Sequence, residues 1–165
     1  MKKLLTVLLA LCAAVAVCVF AGCADDPRGE TEGAVDGGYK ICYAFTASDD
    51  VLNIGENTSL KDYMDALKAG GKLDFKGEDG DYGYYLTEIL GVKSVFVSST
   101  ANSYAGYDWY VYTTLTTVDG VTYSSEQSFV FDGVTLYKSA YGVSNLPCVK
   151  GESYALVFEY AETTW

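Results

Sequence analysis

The chain has 165 residues, with 22 acidic against 11 basic side chains and a formal charge of −11. A surface this acidic repels nucleic acid and anionic lipid head groups, which argues against either as a direct partner. Histidine is absent, which removes the commonest general base and the commonest transition-metal ligand, and with them any histidine-based catalytic triad.

The N-terminus reads MKKLLTVLLALCAAVAVCVFAGC. Lys2 and Lys3 precede an uncharged apolar run from Leu4 to Phe20, and Ala21-Gly22 precede Cys23. This is the pattern of a secretory signal peptide over residues 1–22 rather than of a fold element. A cysteine directly after small residues resembles the lipobox of bacterial lipoproteins, with Phe20 in place of the usual Leu. The expected product begins at Cys23, carries acyl chains of the palmitate kind, and sits on the extracytoplasmic face of a bacterial membrane. Two or more chains give stable anchoring, since each buried methylene contributes about 0.8 kcal/mol. Removing the signal takes away two lysines and no acids, so the mature chain is more negative still.

Residues 23–38 contain the lipidated Cys23 and a run rich in Gly and acids, ADDPRGETEGAVDGG, which reads as a flexible tether. A tether of this length reaches on the order of 20 Å. One domain follows, over residues 39–165. Tyr39, Ile41, Tyr43 and Phe45 alternate with smaller or polar residues, which predicts a strand. VLNIG then reads as a short second strand or the return of a hairpin.

Leu60, Tyr63, Met64 and Leu67 fall at i, i+3, i+4 and i+7 and predict an amphipathic helix. Ser59 is placed to cap it, Asp62 stands at N3, Lys68 lies in the last turn, and Gly70-Gly71 stop it. Leu73 and Phe75 suggest a short strand, Gly77–Gly83 a turn, and Tyr84, Tyr85, Leu86, Ile89 and Leu90 a return to the core. SVFVSS predicts a strand, ANSYAGYD a loop, and Trp109–Val118 a strand. Asp119-Gly120 is a hairpin signal, and Asp132-Gly133 recurs after VTYSSEQSFVF. Ser153–Tyr160 reads as a final apolar strand, placed centrally beside the first. One helix among many strands predicts an α+β domain, with a helix on one face of a mixed sheet.

These motifs, in this order, resemble the cobalamin-binding C-terminal domain of transcobalamin and intrinsic factor and its bacterial relatives. The residues that carry the resemblance are Ser59-Leu60-Lys61-Asp62-Tyr63-Met64 continuing to Leu67, the segment Gly83–Val92 with Ile89-Leu90-Gly91-Val92, the strand Trp109-Tyr110-Val111-Tyr112, and Gly151-Glu152 before Ser153–Tyr160. Thr113-Thr114 stand where that family carries Asn-Gly. The resemblance spans residues 39–161 and implies a β-grasp-like fold. It also implies cobalamin or another corrinoid as a ligand, with no cofactor required.

Tyr82, Tyr84, Tyr85, Tyr104, Tyr107 and Trp109 lie in or beside glycine-bearing loops and form the candidate ligand site, since aromatic rings stack on flat ligands, sugars or a corrin edge. Trp109, Tyr110 and Tyr112 also suit the core of a sheet. Cys42 and Cys148 are an even pair outside the cytoplasm, equally consistent with one disulfide and with two buried thiols. Glu78-Asp79-Gly80-Asp81 offers oxygens for calcium but reads better as a solvated turn, so no metal is expected. No spacing singles out a catalytic pair. The chain is therefore expected to be a non-catalytic, membrane-anchored ligand-binding protein, with a surface module for adhesion to protein or glycan as the alternative.

Overall fold

Alternation along two long strands sets the architecture. A computed structural model describes residues 41–164. The stretches read from the sequence as signal peptide and tether, with Cys23 between them, lie outside the described residues. Strand β1 is Ile41–Thr46, followed by helix α1, Leu60–Ala69. Strands β2 (Phe75–Gly80), β3 (Gly83–Ile89), β4 (Val92–Lys93), β5 (Val95–Thr100) and β6 (Ser103–Thr113) come next. Then come β7 (Thr117–Val118), β8 (Val121–Thr122), β9 (Ser128–Phe131), β10 (Val134–Lys138) and β11 (Ser153–Thr164). The main sheet has the order β1-β11-β6-β10-β9, with β5 also paired to β6. The last strand does sit beside the first, and the domain is α+β. The expected mixed sheet is not formed, because every strand pair among the described residues is antiparallel.

The helix forms as its sequence dictates. Leu60, Tyr63, Met64 and Leu67 are its buried face, and Ser59 and Asp62 make a reciprocal capping box. Asp62 Oδ2 accepts from Ser59 N at 2.9 Å, and Ser59 Oγ accepts from Asp62 N at 3.2 Å. The N–H groups of Leu60 and Lys61, which a helix start leaves unpaired, donate to Leu146 O and Val143 O at 2.8 and 2.9 Å. The chain before β11 thus pins the helix to the sheet. Burying each such apolar side chain contributes about 1.5–3 kcal/mol.

β6 from Ala105 onward and β11 over Tyr154–Phe158 are largely buried on both faces. Tyr107, Trp109, Val111, Tyr154, Leu156 and Phe158 join the helix in the main core. The intervening positions turn to the other face, where Tyr112, Ala155, Val157 and Leu136 form a second cluster with Phe129 and Phe131 packed against it. That second cluster covers only part of the outer face.

Several sequence expectations change. VLNIG forms turns and bends rather than a strand. The turn expected at Gly77–Gly83 shrinks to Asp81-Tyr82, because β2 runs on to Gly80 and pairs with β3. The loop expected at ANSYAGYD is a tight connection at Ala101-Asn102 followed by β6 itself. The strand read as Trp109–Val118 ends at Thr113. Asp119-Gly120 and Asp132-Gly133 do make two-residue hairpins, with φ of 49° and 81° and of 49° and 80°. No helix among the described residues is long and apolar enough to cross a membrane.

Candidate binding face

The central strand places a carboxylate where its neighbours are aromatic. Tyr104, Gly106, Asp108, Tyr110 and Tyr112 occupy alternate positions of β6 and so share the outer face. Asp108 is only 6% exposed. Both its oxygens are held by tyrosines: Tyr85 Oη donates to Oδ1 and Tyr104 Oη to Oδ2, each at 2.5 Å. Tyr85 reaches it from β3, where it points away from the core-facing Tyr84 and Leu86.

Burial, and then the hydrogen bond and charge of Asp108, push the hydroxyls of Tyr85 and Tyr104 well above the ordinary tyrosine range. Burial followed by the Asp108 and Glu159 charges raises Tyr110 to about 12. Ser94 lies close enough to Tyr85 to oppose its shift slightly, yet its buried Oγ makes no well-formed hydrogen bond.

Beside this group lies a second one. Glu159 stands directly opposite Asp108 in the β6–β11 register. It accepts from Lys138 Nζ at 2.6 Å and from Tyr112 Oη at 3.0 Å. Lys138 Nζ also lies 3.6 Å from the centroid of the Tyr110 ring, a cation–π contact. Phe96 of β5 stands opposite Gly106, is 62% exposed, and meets the Tyr104 ring at 5.8 Å.

The six residues singled out in the sequence therefore separate. Tyr85 and Tyr104 are joined through Asp108. Tyr82 stands at the tip of the β2–β3 hairpin, 94% exposed. Tyr84 packs edge-on against Phe75 with Lys61 Nζ 4.4 Å from its centroid. Tyr107 and Trp109 are core residues. Tyr107 stacks on Phe158, and the Trp109 indole donates to Val92 O at 3.0 Å. The sequence reading missed Asp108, Tyr110, Lys138 and Glu159. One signal was present: Asp108 is a lone charge in an otherwise aromatic and apolar run.

Cys148 is buried and free, so the disulfide to Cys42 is not made. In the register Cys42 stands opposite Val157, whereas Cys148 belongs to the helix-side core. Burial pushes the Cys148 thiol up to about 11. Among the described residues, no three acidic or cysteine side chains converge to hold a metal ion.

Two clefts open among the described residues. One, of about 170 Å³, lies among Ala44, Phe45, Phe131, Leu136 and Ser153. The other, of about 190 Å³, lies among Glu56, Ser59, Asp119, Asn145 and Pro147. Both fall below the roughly 300 Å³ at which small-molecule pockets begin. No family model matches the chain, and neither does a curated protein or a solved structure.

Proposed function

We propose that the chain is a lipoprotein anchored through Cys23 to the extracytoplasmic face of a bacterial membrane, and that its domain is a non-catalytic binding module of the transcobalamin C-terminal, β-grasp-like kind. Its ligand is cobalamin or another corrinoid, met on the outer face of the main sheet. The observation that carries this reading is the grip of one buried carboxylate on two tyrosine hydroxyls. That grip fixes the Tyr85 and Tyr104 hydroxyls, and the Tyr104 ring lies against the exposed Phe96, so that an aromatic platform exists before any ligand arrives. Preorganisation of this kind lowers the entropy cost of binding. A ligand larger than either cleft is accommodated on an open face, which suits stacking against the edge of a large flat ring.

A second reading, adhesion to a protein or glycan, is favoured by the start of strand β5. There Phe96 and Val97 are exposed on a strand that pairs on one side alone among the described residues. A spectral titration of cobalamin with the full chain tests the first reading. A saturable shift of the corrin absorption is expected. No shift at high concentration removes the corrinoid, and a glycan array then examines the rival.

A further inference from the structure

The two carboxylates of the outer face are balanced differently. Glu159 has an ammonium partner, Lys138, whose Nζ lies against the Tyr110 ring. Asp108, directly across the register, is the more deeply buried of the two and has no cationic partner among the described residues. Its two hydrogen bonds come from neutral phenols, which supply no counter-charge. A buried carboxylate without a counter-charge is costly, and a cation brought to it recovers part of that cost.

The walls of the position are aromatic. Tyr85 is 47% and Phe96 62% exposed, and Tyr104 touches Phe96. Phenols that donate to a carboxylate gain electron density in their rings, which strengthens their attraction for a cation. The net charge of −11 adds long-range steering of the same sign. A hard metal ion is the poorer occupant, since it needs several converging oxygen ligands, whereas aromatic walls suit an organic cation.

We propose that the open half of the outer face recognises an organic ammonium group, taken between the rings of Tyr85, Phe96 and Tyr104 beside the Asp108 carboxylate. The Glu159–Lys138–Tyr110 group is the internal version of the same arrangement, already filled by the chain's own lysine. This inference rests on the reading of the domain as a binding module and names the chemistry of that face.

The test is a calorimetric titration of the full chain, in a non-ionic detergent at constant ionic strength, with choline and with 3,3-dimethyl-1-butanol, its uncharged isostere. Choline should bind saturably and at least tenfold more tightly than the isostere. Asp108→Asn should weaken choline tenfold or more, and Phe96→Ala several-fold. Equal binding of choline and isostere overturns the inference, as does unchanged choline affinity in a folded Asp108→Asn variant. Should that variant not fold, unchanged affinity in Phe96→Ala overturns it alone. Cobalamin bound while choline is not overturns the ammonium site and leaves the binding module standing. Failure of both overturns the site and the corrinoid reading together.

Discussion

Asp108 and Glu159 face one another across the β6–β11 register, but among the described residues only Glu159 is paired with a lysine. Among the described residues, Asp108 is held by the hydroxyls of Tyr85 and Tyr104 alone. Removing the carboxylate strands two partly buried donors. Asp108→Ala should therefore cost about 1–3 kcal/mol, and Tyr104→Phe about 1 kcal/mol. Urea unfolding measures both. An Asp108→Ala change of less than about 0.5 kcal/mol, the size of an ordinary surface substitution, would show that the network contributes nothing.

Alkaline pH acts on the same group. An unfolded tyrosine titrates near 10. Tyr110 is raised to about 12, and Tyr85, Tyr104 and Tyr154 are raised as well, in each case by burial first. Above about pH 10 the folded chain thus holds more protons than the unfolded chain, and stability falls as pH rises. The contribution is fully present below pH 10 and is lost progressively through about pH 12. Phenolate absorbance should show these tyrosines ionising late and together with unfolding. Titration of all tyrosines near 10 with the fold intact would contradict this.

Gly106 lets β5 and Tyr104 close on β6. A Cβ there would fall 2.4 Å from Tyr104 Oη and 2.7 Å from Val95 O. The phenol can swing away, but a strand carbonyl yields poorly. Gly106→Ala should destabilise by about 1–3 kcal/mol and displace Tyr104 from Asp108. Denaturant unfolding gives the first quantity. The second should appear as a lower pKa for Tyr104.

Cys148 should resist alkylation in the folded chain, because burial both shields the thiol and holds it protonated. Denaturation without reductant should expose it to complete labelling, read by mass spectrometry. A need for reductant before labelling would mean that the thiol is bridged.

The helix was legible because its information is local: a 3.6-residue apolar period, a capping box and a glycine stop all lie within Ser59–Gly71. The Asp-Gly hairpins were legible for the same reason, since their turn chemistry is contained in two residues. The start of β6 was not. Ser103, Gly106 and their small neighbours carry weak strand preference, and this segment is a strand because β5 and β11 pair with it on either side. Gly77 misled in the same way. A Cβ there would fall 2.5 Å from the Tyr84 ring, so this glycine marks a close crossing rather than a turn. The site was half legible. Tyr85 and Tyr104 stood out by composition, but the group that joins them, Asp108, becomes meaningful only when β3 is brought against β6.

Anchoring at the membrane has its own test. Cys23→Ser should leave the precursor unprocessed or release the protein from the membrane fraction, with loss of lipid labelling. Unchanged labelling would sink the assignment of Cys23.

The claim that ligand binding belongs to the tyrosine–carboxylate face is tested most directly by titrating cobalamin into the wild-type chain and a Tyr85→Ala/Tyr104→Ala variant in parallel. The account predicts a saturable corrin spectral shift with the wild type and at least a tenfold loss of affinity in the folded variant. Equal affinity in the two, or no shift with either, would contradict it.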